Sequence, residues 1–439
     1  MRKILPVLLL LLYSSTAFAG THNAFASIEN IGGDTIMVVY RSASNHIASD
    51  GNIVAYRGHY TQFEDTLNTY VLFESPDSLD YRDPSIRIID DVLIIVFDVV
   101  DYITGRNDIF LSRSDDNGIS WSKFENVTGD KTESHRWWTS TEIVATSQGT
   151  WIIPTYRWEP DSLVWSAGII RSSDKGITWG DYIPVVYGTP NEKAPSEPSV
   201  VELNDGSLFI LIREDNLNFN QYYSYSFDDG KNWMEAQLWF EPGVAPWVGK
   251  DVDGRIIASY GACGPWGVAL TKSVNSGYPL QWGDAPRVVP YTIPATYTYP
   301  SLCKIESLSS EDSTCYFMVH NIERDHTTGN IGHILTFLPR YQVSGIKENE
   351  TLPLQITVSS YPNPFNAVNS LNIEINEDSH LKVSVLNVLG QKVITLFDGI
   401  GNKGVNSIVW NAESTPSGVY FYSIRIGSET ISRKITLLK

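Results

Sequence analysis

The chain is poor in the residues that staple a fold, hold metals or attract anions. In 439 residues there are three cysteines, Cys263, Cys303 and Cys315, and four methionines. Three cysteines cannot build a disulfide framework. One bridge between Cys303 and Cys315, across a predicted hairpin turn, stays open, with Cys263 then left as a small buried apolar residue. Basic residues are also few: 32 Lys and Arg stand against 50 Asp and Glu, a formal charge of −18. That deficit excludes nucleic acid and anionic membrane surfaces as partners, because both select a cationic face. Charged residues are 19% and hydrophobic residues 42%, which excludes wholesale disorder. There is no Gly-rich phosphate loop. His46, His135, His320, His326 and His333 match no metal-ligand spacing, so neither cofactor nor metal is expected. Beyond Tyr13 no apolar run is long enough to span a bilayer.

What the chain does have is aromatic surface and turns. Thirteen Trp and 23 Tyr favour strands over helices. At the amino terminus, Arg2 and Lys3 precede an apolar run from Ile4 to Tyr13, and Ala17-Phe18-Ala19 forms a small-x-small cleavage site. Residues 1–19 therefore read as a secretory signal peptide.

Two repeats are interleaved through the middle. The first is a turn before an apolar run: Asp50-Gly51, Asp90-Asp91, Gln148-Gly149, Asp205-Gly206, Asp253-Gly254 and a looser Ser309 to Asp312. The successive spacings are 40, 58, 57, 48 and 56 residues. Such turns between apolar runs are hairpin signals, and their regular return implies a repeat architecture of six β-blades. The second repeat reads S-x-D-x-G-x-(S/T/N)-W, at Ser114 to Trp121, Ser172 to Trp179 and Ser226 to Trp233. A decayed copy runs from Ser273 through Asn275 and Gly277 to Trp282. Here the Asp can accept turn N–H bonds, the Gly supplies positive φ and the Trp supplies packing area, so the motif is structural.

These Asp boxes, on this spacing, resemble the sialidase (neuraminidase) superfamily of six-bladed propellers. The resemblance implies an all-β fold, with residues 20–345 forming a six-bladed β-propeller. The stretch Ala24 to Ile31 is placed to return and close the last blade. Residues 346–357 read as a linker and 358–439 as a second module of alternating strands, an immunoglobulin-like β-sandwich. Tyr361 to Asn366, Val385 to Gln391, Ser417-Gly418-Val419-Tyr420 and the Lys434 to Lys439 ending resemble a C-terminal sorting domain of the type IX secretion system. That resemblance implies a bacterial protein exported through the periplasm, then released or held at the cell surface, with the secretion machinery as a partner.

In a propeller the residues before each first turn share one funnel. Arg41, Arg82, Asp83, Glu197, Trp247 and Tyr299 hold such positions; a second ring after the turns carries Arg57, Arg157 and Arg213. Arginines converging in an acidic protein suit a carboxylate, which their planar fork grips with two charge-assisted bonds. Glu197 to Gly206, ending at Arg213, resembles the sialidase stretch with a catalytic Glu and one arginine of the carboxylate-binding triad. Tyr299-Pro300-Ser301-Leu302 is similar to the segment with the nucleophilic Tyr. The resemblance thus implies Tyr299 as nucleophile, Glu197 as its base, and Arg41 and Arg213 as substrate-binding arginines. A phenol deprotonated by Glu is repelled less than a carboxylate by a substrate carboxylate at the anomeric carbon. The acid/base is either Asp65 or Asp83. The third triad arginine is expected near Pro265-Trp266-Gly267, where none stands, so Arg82 or Arg157 would substitute. The expected function is a secreted exo-glycosidase on acidic glycans, of exo-α-sialidase type. A non-catalytic glycan-binding propeller and a lyase on uronate polysaccharide are the alternatives.

Overall fold

The computed structural model describes residues 22–339 and 357–439, apart from 64–65, 77, 130–135, 191–192, 216–218, 240–241, 262–266, 283–297, 311–312, 324–328, 363–364, 376–377, 388–391 and 427–428. The expected signal peptide, most of the expected linker, Asp65 and Cys263 lie outside the described residues. The chain divides into two compact units, Met1–Gln342 and Val343–Lys439. Among the described residues helix is confined to two short 3-10 turns, Tyr60–Gln62 and Thr66–Asn68.

The first unit is a succession of antiparallel meanders, as alternating apolar runs joined by tight turns require. Strands β1 (His22–Asn30), β2 (Thr35–Ala43), β3 (Asn52–His59) and β4 (Thr69–Phe73) make the first. Strands β5 (Leu79–Ile89), β6 (Val92–Asp101), β7 (Arg106–Ser114) and β8 (Glu125–Asn126) make the next. Then come β9 (Arg136–Thr139), β10 (Val144–Ala145), β11 (Trp151–Glu159), β12 (Val164–Ser172) and β13 (Tyr182–Tyr187). They are followed by β14 (Pro195–Glu202), β15 (Leu208–Glu214), β16 (Gln221–Ser226) and β17 (Gln237–Leu238), and by β18 (Val244–Lys250), β19 (Ile256–Gly261) and β20 (Val268–Lys272). The last is β21 (Pro300–Ile305), β22 (Ser313–Glu323) and β23 (Gly329–Pro339).

The amino-terminal strand differs from the expectation. Gly32 and Gly33, with φ of +112° and +59°, turn β1 straight into β2, so β1 is the first strand of its own meander. One parallel pair, His22 with Gly329, joins it to β23, so that the last and first meanders form one seven-stranded sheet, β21-β22-β23-β1-β2-β3-β4. The cysteine pairing is also decided by register. Cys303 faces Phe317 and Cys315 faces Ile305 across β21 and β22, and both thiols are free and buried.

Neighbouring meanders share apolar cores. Ile94, Val96, Ile109 and Leu111 of the second pack against Trp151, Ile153 and Ile170 of the third. Burying each such side chain stabilises by about 1.5–3 kcal/mol. The S-x-D-x-G turns close their sheets at the periphery. In the first, Asp116 Oδ1 accepts from the Ile119 and Ser120 N–H groups at 3.0 and 2.8 Å, and Ser114 Oγ accepts from Gly118 N–H at 2.8 Å. Gly118 has φ of +83°, which is why the motif needs glycine there. Asp174 and Asp228 repeat the arrangement with Thr178 and Asn232. In the decayed copy, Asn275 Oδ1 accepts from Gln281 N–H at 2.8 Å.

The second unit holds β24 (Thr357–Tyr361), β25 (Val368–Ile375), β26 (Ser379–Asn387), β27 (Lys392–Gly401), β28 (Gly404–Asn411), β29 (Gly418–Ile426) and β30 (Glu429–Leu437). They form a three-stranded sheet, β24-β25-β28, and a four-stranded one, β27-β26-β29-β30. One core of Leu371, Ile373, Val383, Val385, Trp410, Tyr422 and Ile424 lies between them.

Candidate active site

The first strands of the meanders share a feature that builds the site. In β1, β5, β14 and β18 the ladder slips at one place, between Ala24 and Ser27, Arg82 and Ser85, Ser196 and Ser199, and Val244 and Trp247. At each slip one non-glycine residue has positive φ: Phe25 (+58°), Asp83 (+46°), Glu197 (+45°) and Ala245 (+47°). Three of these precede a proline, which cannot donate into the ladder and so leaves room for a bulge. Each such backbone conformation costs about 1–3 kcal/mol, which the surrounding sheets must offset. The bulges aim their residues into one cavity of about 280 Å³, which Phe25, Asp83, Glu197, Ala245 and Tyr299 all line.

The serines that follow fasten the ring. Ser27 Oγ accepts from Ile86 N–H at 3.1 Å, Ser199 Oγ from Val248 N–H at 3.0 Å, and Ser301 Oγ from Ile28 N–H at 3.3 Å. Each bond ties one innermost strand to the next. Ser27 and Ser301 also donate to Glu142 Oε1, at 3.0 and 2.9 Å, so a carboxylate from the third meander is held in the cavity wall by the first and last.

Tyr299, Glu197 and Arg213 form the centre. The Tyr299 hydroxyl donates to Glu197 Oε1 at 2.8 Å. Arg213 Nη1 donates to both Glu197 oxygens, at 2.7 and 2.8 Å, and to the Tyr299 oxygen at 3.3 Å. Ala245 N–H donates to Glu197 Oε2 at 3.1 Å, and Asp215 takes Arg213 Nη2 at 2.6 Å. Burial and the Glu197 charge push the Tyr299 phenol well above its ordinary value, with Arg213 opposing. The resting tyrosine is therefore neutral, with its proton directed at Glu197.

Asp83 lies on the same cavity. Burial raises its carboxyl to about 6; Arg82 opposes the shift and Glu197 adds to it. Behind it stands Asp98, fully buried, with Oδ1 accepting from Thr139 N–H at 3.1 Å. Burial and the neighbouring Asp83 push Asp98 well above the carboxylate range. Asp83 Oδ1 and Asp98 Oδ2 are buried and accept no hydrogen bond. This is a setting for a carboxyl group that keeps a proton near neutral pH.

The remaining expected residues are placed differently. Arg82 lines the cavity, with Nη1 donating to the His46 carbonyl at 3.0 Å and to the Tyr102 hydroxyl at 3.2 Å. Its guanidinium also lies 3.6 Å from Asp80 and 3.8 Å from Asp83. Arg41 is not on the cavity wall. It is fully buried and gripped by both oxygens of Asp80, at 2.7 and 3.0 Å, because β2 points it between its own meander and the next. Arg157 also lies off the wall, paired at 2.8 and 3.0 Å with Glu159 and stacked over the Trp137 and Tyr182 rings. Asp65 is outside the described residues, so only Asp83 of the two acid candidates is placed. Sequence reasoning passed over Phe25, Asp98 and Glu142. A signal was available: the tripeptides Asp83-Pro84-Ser85, Glu197-Pro198-Ser199 and Tyr299-Pro300-Ser301 repeat one pattern, and their first residues all line the cavity.

Residues 87–248 match the family profile described as a BNR repeat-like domain. Residues 359–437 match that of a secretion system C-terminal sorting domain. A sialidase of Paraclostridium sordellii is 26% identical over 215 residues, covering 41% of this chain and 52% of that protein. A sialidase of Clostridium perfringens is 28% identical over 214 residues, covering 41% and 54%. The chain thus spans about half the length of the curated relatives it matches. Among solved structures, a Trypanosoma rangeli sialidase in complex with sialic acid aligns with a TM-score of 0.57 at 12% identity, over 96% of this chain and 86% of that one. A Penicillium chrysogenum alpha-L-arabinanase complexed with arabinobiose aligns at 0.55 and 14% identity, over 75% and 96%. At such identities the likeness is one of fold: all-β and propeller-like. Among the described residues no helix is long and apolar enough to cross a membrane. The chain carries a BNR repeat-like domain, resembles sialidases in sequence and in fold, and ends in a type IX sorting domain that directs it to the bacterial cell surface or beyond.

Proposed function

We propose that this protein is an exported glycoside hydrolase in which Tyr299 is the nucleophile, Glu197 its base and Asp83 the acid/base. The observation that supports this most is the 2.8 Å hydrogen bond from the Tyr299 hydroxyl to Glu197. In the first step Glu197 takes the phenol proton as Tyr299 Oη bonds to the anomeric carbon. The bond to the leaving oxygen breaks, and Asp83 gives that oxygen its proton. In the second step Asp83 takes a proton from water, water displaces the tyrosine, and Glu197 returns the proton to the phenolate. Two displacements retain the anomeric configuration. In this reading residues 20–345 are a six-bladed propeller, with 1–19 a signal peptide, 346–357 a linker and 358–439 an immunoglobulin-like sandwich.

The substrate has two readings. The sialidase relatives favour a sialoside, with Arg213 or Arg82, the two expected arginines that line the cavity, receiving its carboxylate. The ion pairs favour an uncharged terminal sugar instead. Arg213 is held by Glu197 and Asp215, Arg41 by Asp80, and Arg157 by Glu159. Arg82 lies between Asp80 and Asp83. An arabinoside, suggested by the arabinanase neighbour, is the first such candidate. The test is product release from a fluorogenic sialoside and from p-nitrophenyl α-L-arabinofuranoside, with Tyr299→Phe as control. Release that vanishes in the variant supports the hydrolase. Release from neither would overturn it and favour a glycan-binding propeller.

A further inference from the structure

Beside the cavity, one face of the third meander carries four aromatic side chains in contact. Tyr156 and Trp158 lie two apart on β11 and so share a face. Trp138 of β9 pairs with Tyr156, and Trp165 of β12 pairs with Trp158. Trp138 stacks on Tyr156 at 5.8 Å and meets Trp165 at 5.0 Å, while Trp158 meets Trp165 edge-on at 5.5 Å. All four are half-buried. Tyr156 packs against the core shared with the fourth meander, whereas Trp138, Trp158 and Trp165 join none of the apolar cores of the described residues. Three tryptophans left partly in water and outside any core suit binding more than stability.

We propose that this aromatic patch is a binding platform for the sugar rings that follow the one held in the cavity, so that the protein acts on the end of an oligosaccharide chain. The direction of the chain rests on the glycosidase reading. Tyr156 supplies the continuity, since it lines the cavity and also stacks on Trp138. A sugar ring has an apolar C–H face and a polar edge, which an indole or phenol face covers without a charged partner.

The test compares Trp138→Ala and Trp165→Leu with the parent protein, the leucine keeping apolar volume at its site. The substrates are two pairs of short and long probes: the fluorogenic sialoside and sialyllactose, and the p-nitrophenyl arabinofuranoside and arabinotriose. The proposal expects KM for the long probe of the active pair to rise about tenfold with kcat little changed. The single-sugar probe should keep its kinetics within twofold. Equal losses on short and long probes, or no change on either, would overturn it. Quenching of tryptophan fluorescence by sialyllactose and arabinotriose reads the platform without turnover. Quenching by either in the parent that is lost in both variants supports it even in an inactive protein; no quenching by either in the parent overturns it. Loss of turnover in the parent alone would count against the hydrolase and not against the platform.

Discussion

Two pairs of aspartates in this molecule stand in opposite settings, and the contrast explains how their protons are held. Asp116 and Asp174 sit in exposed turns at the edge of the sheets. Hydroxyls of Ser120 and Thr178, then the N–H groups of the same residues, hold them down to about 2. Asp83 lines the cavity and Asp98 is buried behind it, each with one carboxyl oxygen that accepts no hydrogen bond. Burial raises Asp83 to about 6, and burial with the neighbouring Asp83 pushes Asp98 well above the carboxylate range. The side chain is the same. What differs is the number of donors and the access of water. Donors fix a carboxylate as part of a turn; their absence leaves a carboxyl that can hand over a proton.

The comparison can be broken first at the centre of the site. Tyr299→Phe and Glu197→Gln should each lower kcat/KM about a thousandfold or more on the active glycoside, with unchanged circular dichroism. Next, Asp83→Asn should cost about 10²–10⁴-fold on a glycoside with a poor leaving group, and far less on an activated aryl glycoside that needs no proton. Asp65→Asn, assayed in parallel, should change little; the opposite ranking would move the acid to Asp65. The proton on Asp83 also sets a pH limb. Its folded value lies above the ordinary carboxyl value, so the acid form is present below about 6 and is lost as pH rises through it. kcat/KM should then fall with rising pH.

The smallest effect belongs to the turns. Asp174→Ala should lower the thermal midpoint by a few degrees and leave kcat/KM within about twofold. The sign in pH is opposite to that of Asp83. Asp174 is depressed in the folded state, so its contribution is complete above the ordinary value of 3.8 and is lost as pH falls through about 2. The difference in midpoint between parent and variant should shrink over that interval.

The turns were the most legible part of the chain, because S-x-D-x-G-x-(S/T/N)-W states its own hydrogen bonds: the Asp, Gly and hydroxyl positions are those that bond. Tyr299, Glu197 and Arg213 were named from sequence, and the structure brings them within hydrogen-bond distance of one another. Arg41 and Arg157 were named by their place before and after a turn. Such counting assigns a strand position but not which way a side chain points, and both lie off the cavity wall. Asp98 and Glu142 were missed because nothing local marks them. Asp98 is set behind Asp83 by a ladder slip in β5, and Glu142 is fixed by serines more than a hundred residues away in sequence.

The central claim is that Tyr299, assisted by Glu197, forms the bond to the sugar. Trapping the intermediate with an activated fluorosugar of the preferred glycoside, followed by peptide mass spectrometry, tests it most directly. The account predicts one sugar adduct on the peptide holding Tyr299, absent in Tyr299→Phe. An adduct on Glu197 or Asp83, with Tyr299→Phe still labelled, would contradict it.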